Sequence, residues 1–115
     1  MRKDDRIRLT HMLDSAREAV HFAGGKTRDD LEADRLLALG LMKCIEIIGE
    51  AAANISNECR ETLPTIPWRS ILGMRNRLVH AYFEIDLDVV WYTTNVSLPP
   101  LIQILEEILT PKPSG

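Results

Sequence analysis

The sequence predicts an all-α fold, a bundle of four to five helices, and three observations lead there. Apolar residues make up 45% of the 115 residues but aromatics only 5%. Leu, Ile, Val, Ala and Met must therefore build the core, a composition that suits helices better than a β-sandwich. Apolar positions also recur at about 100° per residue over long stretches. Breakers are few and grouped, at Gly24-Gly25, Pro64, Pro67, Pro99-Pro100 and the segment from Pro111 to Gly115. A chain of this length buries roughly two-thirds of its unfolded surface and can hold one core. The expectation is one helical domain over residues 1–110 and a flexible tail at 111–115.

The first helix is expected from about Asp4 to Phe22, on the period of Ile7, Leu9, Met12, Leu13, Ala16 and Val20. Asp4 and Asp5 suit its first turn and Gly24-Gly25 its end. Thr27 is a good N-cap for a second helix, with Asp29 and Asp30 in the first turn. The stripe Leu37, Leu41, Cys44, Ile45, Ile48, Ala52 and Ile55 carries that helix to about Cys59. A second flank holds Leu39, Met42, Glu46, Gly49, Glu50 and Ala53. Two contact faces place a helix centrally in a bundle, or between a bundle and a second subunit. Pro64 and Pro67 precede a third helix from about Trp68 to Ala81 or Tyr82, with Pro67 suited to its first turn. Phe83-Glu84-Ile85 reads as a connector. Asp86 or Asp88 caps a fourth helix reaching about Leu109, which Pro99-Pro100 should kink or split. Trp68 is expected to anchor the start of helix three, and Trp91 and Tyr92 to pack as core aromatics.

The formal charge is −3, from 14 Lys+Arg against 17 Asp+Glu. That argues against a broad basic nucleic-acid surface. Cys44 and Cys59 offer neither metal spacing nor a disulfide framework, and Cys44 among Met42, Ile45 and Ile48 reads as a core residue. No metal-ligand cluster stands out, so no metal or cofactor is expected. The first residues lack the apolar run of a secretory signal, and no stretch approaches a membrane span. A cytoplasmic protein without membrane association is the expectation.

Helix three carries the unusual residues. On a wheel with Ile71 at zero, Leu72, Met74, Leu78 and Val79 fall at roughly 100°, 300°, 340° and 80°. Arg75 and Tyr82, at roughly 40° and 20°, lie inside this apolar sector, while Asn76 and His80 lie opposite at roughly 140° and 180°. A buried arginine needs a partner. Glu46 or Glu50 could pair with Arg75, or Arg75 could line a cleft and bind a phosphate through its planar guanidinium. Both hold if Glu50 orients Arg75. A lone His near a helix end is commonly a dipole-compensating or solvated residue, as His11 and His21 exemplify. Beside a phosphate-holding Arg, however, a His that exchanges protons near neutral pH is a minimal kit for cleaving RNA, whose own 2′-OH is the nucleophile. No metal is then required. On a straight helix Arg75 and His80 point about 140° apart. Either the helix ends before His80 or the site is shared across a homodimer.

The segment RNRLVHAY, Arg75 to Tyr82, has the pattern Arg, four residues, His, one residue, Tyr. With IEIIGEAA from Ile45 to Ala52 and IPWRSILGMRNRLVHAYFEID from Ile66 to Asp86, the chain resembles the HepT-like toxins of the HEPN superfamily. The resemblance covers nearly the whole chain. It implies a HEPN-type bundle that forms a homodimer with the motifs near the interface, and a metal-independent endoribonuclease of a toxin–antitoxin pair. Arg75 and His80 match the catalytic residues, and Asn76 the polar residue that often follows that Arg. Tyr82 matches the tyrosine adenylylated by the cognate antitoxin, a minimal nucleotidyltransferase. Such a group places a phosphate and a nucleoside two residues from His80, to compete for Arg75 and fill the cleft. The LPPLIQ text around Pro99-Pro100 departs from the family, where one proline precedes an acid. Arg69 and Arg77, with Arg75, are the candidate cationic cluster for RNA. Two further readings stay open: a non-catalytic binding or scaffold subunit of a nucleotidyltransferase complex, and a plain bundle in which Arg75 is only ion-paired.

Overall fold

A computed structural model of the chain describes residues 1–80 and 84–110, with residues 75, 76, 79, 80 and 84 described through their backbone alone. Four long helices build the bundle: α1 (Lys3–Ala23), α3 (Arg35–Ala53), α5 (Trp68–Leu78) and α7 (Leu98–Leu109). Between them lie three helices of six residues each, α2 (Arg28–Ala33), α4 (Asn57–Thr62) and α6 (Leu87–Tyr92). A π-helical turn, Thr93–Ser97, joins α6 to α7. The two-residue strands β1 (Val79–His80) and β2 (Glu84–Ile85) pair antiparallel between α5 and α6. The protein is all-α apart from this short ladder. The tail expected at 111–115 lies outside the described residues.

Helix α3 lies centrally, packed on α1 along one side and on α5 along another, while α7 closes against α1. The core is aliphatic, as the composition requires. Leu9 and Met12 of α1, Leu41, Ile45 and Ile48 of α3, Ile71 and Leu78 of α5, and Leu98 and Leu105 of α7 are all buried. Burying each such side chain stabilises the fold by roughly 1.5–3 kcal/mol. Ala16 and Ala19 of α1 and Ala52 of α3 are buried too, small enough for helices to approach closely. Cys44 and Cys59 are free thiols in this interior. Burial beside Glu18 pushes the Cys44 thiol up to about 11.

The expected second helix, Thr27 to Cys59, is three helices. The apolar period runs through without interruption, but local hydrogen bonds divide it. The Asp34 side chain accepts from Leu37 N at 3.1 Å and starts α3 afresh. Ser56 Oγ accepts from Cys59 N at 3.2 Å and starts α4. Short polar side chains that satisfy backbone donors compete with the helix itself. Arg60 secures the break, its Nη2 donating to the carbonyls of Ala52 and Ala53 at 3.0 Å each. Its guanidinium lies 5.9 Å from the centre of the Trp68 ring. Trp68 does anchor the start of α5, its indole N–H donating to Leu63 O at 3.0 Å. The chain turns from α1 to α2 at Gly25, whose φ of 74° favours glycine.

The prolines of the last segment split it, as expected, into α6 and α7 with the π-turn between them. Pro99 and Pro100 occupy the first turn of α7, and the preceding turn widens so that Leu98 N reaches Thr93 O, five residues back. Widening relieves the clash of a proline ring with the carbonyl four residues earlier. Thr94 Oγ1 and Asn95 Nδ2 donate back to the carbonyls of Val90 and Trp91 at 2.9 and 3.0 Å. Trp91 is half-buried, whereas Tyr92, expected in the core, is 61% exposed.

Asp5 ties the start of α1 to α4. Its carboxylate is buried and accepts from Ser56 N at 2.9 Å and Ser56 Oγ at 2.7 Å. These bonds hold its pKa below the ordinary value of 3.8. A depressed folded-state pKa contributes stability above the unfolded value that is lost as pH falls through the folded one. The wild type is therefore expected to lose stability below about pH 4, and the Asp5→Asn variant to be less stable at neutral pH. The gap between their melting temperatures should close on acidification. A gap constant from pH 7 to pH 2 would contradict this role.

Candidate active site

Helix α5 is held by one buried face, with Ile71, Met74 and Leu78 at 1%, 4% and 1% exposure. Arg75 and Asn76 sit in its last full turn. The backbone of Arg75 falls between the azimuths of buried Ile71 and half-buried Leu72, at the edge of the buried sector. The helix then stops at Leu78, not at Ala81 or Tyr82 as the periodicity predicts. Val79 and His80 become strand, in a register of Val79 opposite Ile85 and His80 opposite Glu84. Two physical causes favour this end. Val79 is β-branched and suits extended backbone. Asp86 N donates to Leu78 O at 2.8 Å, capping the helix from beyond the ladder. The Asp86 side chain in turn accepts from Val89 N at 3.1 Å and starts α6, as one of the two expected caps.

This end changes the reading of the motif. Arg75 is on a helix and His80 on a strand, so the 140° separation of a straight helix does not apply. Of the two ways to reconcile the pair, the helix ending before His80 is the one the chain adopts, and the angular argument for a shared dimer site lapses. Tyr82 lies in segment 81–83, outside the described residues. Glu46 is half-buried and Glu50 exposed on α3, and neither pairs with a described cation. Arg69 and Arg77 are both exposed and come together on one side of α5. They border a shallow depression of about 650 Å³ with Trp68, Ser70 and Gly73. Arg75 is two residues from Arg77, about 200° around the helix. The backbone thus sets Arg75 apart from the other two arginines.

A deeper cleft of about 550 Å³ opens between α5 and the arm made by α6, the π-turn and α7. Ile71, Met74, Leu98 and Leu101 form its apolar floor, and Ser70, Arg77, Asp88, Tyr92, Thr93 and Ser97 its polar and aromatic walls. Arg77 Nη2 donates to Ser70 O at 3.2 Å. Asp88 pairs with Arg28 Nε at 2.8 Å, and this bond raises the Arg28 pKa. Sequence reasoning missed this cleft because its walls come from two segments that no local period connects. The signal available was the Pro99-Pro100 pair, which forces an irregular turn beside it. Among the described residues no cluster of three or more His, Cys, Asp or Glu is placed to hold a metal ion. No helix among them is long and apolar enough to cross a membrane.

Comparison with known proteins bears on this arrangement. The family profile described as "Ribonuclease HepT-like" matches residues 12–108. The "Putative RNase TTE0752" of Caldanaerobacter subterraneus subsp. tengcongensis is 34% identical over 107 residues, 93% of this chain and 96% of that protein. The "Probable ribonuclease HepT" of Thermococcus cleftensis is 37% identical over 93 residues, 77% of this chain and 84% of that protein. A protein of Methanocaldococcus jannaschii named "Gamma-glutamylcyclotransferase and putative RNase MJ0434" is 37% identical over 112 residues. This chain spans 50% of that protein's length. No solved structure matches the chain. With an all-α bundle, an Arg-to-His motif astride a helix end, and a profile match over most of its length, the chain belongs to the HepT-like ribonuclease family.

Proposed function

We propose that the protein is the toxin of a toxin–antitoxin pair, a metal-independent endoribonuclease neutralised by adenylylation of Tyr82. The observation that carries the reading is the end of α5 at Leu78, which frees His80 from the helix that bears Arg75. His80 acts as general base toward the 2′-OH and general acid toward the leaving 5′-oxygen. The 2′-oxygen attacks the adjacent phosphorus, the P–O5′ bond breaks, and a 2′,3′-cyclic phosphate and a free 5′-hydroxyl result. Arg75 stabilises the charge of the phosphorane, a task suited to a planar, permanently charged donor. Asn76 orients His80 or the substrate, and Glu50 and Glu46 on the neighbouring α3 orient Arg75. Arg69 and Arg77 draw the RNA strand to α5 despite the net charge of −3. As the family resemblance implies, the active species is a cytoplasmic homodimer, with a minimal nucleotidyltransferase antitoxin as its partner.

Tyr82 supplies the test of regulation. Co-expression with the cognate nucleotidyltransferase should add AMP to Tyr82, seen by mass spectrometry of the intact protein and its peptides, and silence RNA cleavage. The Tyr82→Phe variant should stay unmodified and still cleave RNA in the presence of the enzyme. Modification elsewhere, or silencing of Tyr82→Phe, would overturn the assignment.

A further inference from the structure

We propose that the cleft between α5 and the α6–π–α7 arm is a nucleobase subsite for single-stranded RNA, with Arg77 and Arg69 guiding phosphates of the same strand across Gly73. This rests on the ribonuclease reading and adds where the strand runs and what holds the base next to the cut. Three independent features support it. The cleft, at about 550 Å³, falls in the range of roughly 300–1,000 Å³ typical of small-ligand sites. Its floor is apolar and its wall carries Tyr92, a large aromatic left 61% exposed. Single strands bind where an aromatic face stacks on a base beside a cationic track for the backbone.

Gly73 is the second feature. Glycine inside an 11-residue helix is unfavourable relative to alanine. A Cβ at Gly73 would meet nothing within 4 Å, so packing does not require it. Its effect is to leave bare backbone between Arg69 and Arg77, four residues to either side, where a phosphodiester can approach closely. The depression over Gly73 and the cleft share Pro67, Ser70 and Arg77, so the two form one continuous path.

The third feature is charge and reach. Asp88, an acid on the cleft wall, is held by Arg28 at 2.8 Å, which offsets its repulsion of a phosphate. Arg77 Nη2 is folded back onto Ser70 O, leaving further guanidinium donors at the junction of cleft and depression. Arg77 precedes His80 by three residues, a span of at most about 11 Å and so about one or two nucleotides. A base in the cleft would therefore flank the cleaved bond and bias which sequence is cut.

The test measures binding, so that it does not depend on cleavage. A short 2′-O-methyl oligoribonucleotide, which lacks the nucleophile, is titrated against the unmodified full-length protein by fluorescence anisotropy. Tyr92→Ala should weaken binding by about tenfold and Gly73→Leu by several-fold, with melting temperatures near that of the wild type. Removing the base at the position flanking the cut should weaken wild-type binding by a similar factor and leave Tyr92→Ala binding unchanged. Equal penalties for the abasic strand on both proteins, or tight binding by both variants, would overturn the subsite. Failure of the wild type to cleave an all-ribose strand would instead count against the ribonuclease reading.

Discussion

Replacing His80 with alanine should lower the rate of RNA cleavage by about 10²–10⁴-fold, the range for losing a positioned acid–base group. Arg75→Ala should cost about 10²–10³-fold, the range for removing one preorganised donor from a charged transition state. Arg75→Lys should not restore the rate, because a point charge cannot reproduce the planar fork. The double variant should be little worse than His80→Ala, since residues that act as a unit are not additive. The fold should survive, because most buried aliphatic residues lie in the long helices and His80 in a two-residue ladder. Single-turnover cleavage of a fluorogenic RNA by the unmodified protein, with a melting curve for each variant, checks all four. Unchanged cleavage in both single variants would remove the motif from catalysis and favour the non-catalytic scaffold.

Ile45→Ala is the stability counterpart. Ile45 is fully buried in α3, the helix packed against both α1 and α5. Truncating it should cost about 2–5 kcal/mol and lower the melting temperature by about 10–20 °C. Leu36→Ala, at the start of the same helix, should change stability by no more than about 0.5 kcal/mol, because Leu36 is 82% exposed. Equal effects at the two positions would contradict the central placement of α3. The contrast matters for the site, since α5 takes its position from α3.

The long-range pattern was legible in the sequence and the local interruptions were not. Leu9, Met12 and Leu13 of α1, Leu41, Ile45 and Ile48 of α3, and Leu101 and Leu105 of α7 were readable from helical period alone. Asp34 and Ser56 do not stand out as caps in the sequence because the apolar stripe continues across both. A period records which face is buried, not where a side chain outcompetes the backbone. The end of α5 escaped for a related reason, since Val79 keeps the helical spacing while a backbone bond from Asp86 closes the helix at Leu78. At the site, Arg75 and His80 stand out by residue type and spacing, and the family resemblance matches them to catalytic roles. Tyr92, Thr93 and Ser97 do not, because they line a cleft only when α6 and the π-turn fold against α5. Tyr92 looked like a core aromatic, and the widened turn before Pro99-Pro100 accompanies its exposed position.

If Arg75 and His80 are the catalytic groups, the nucleophile is the 2′-OH of the RNA itself and no metal is needed. The most direct test incubates unmodified protein, in chelator, with an RNA and with the same strand carrying one 2′-deoxy residue on the 5′ side of the cleaved bond. The RNA should be cleaved to 2′,3′-cyclic phosphate and 5′-hydroxyl ends, with no cleavage at the deoxy position. Cleavage at the deoxy position, or 5′-phosphate ends appearing only when a divalent metal is restored, would contradict this mechanism.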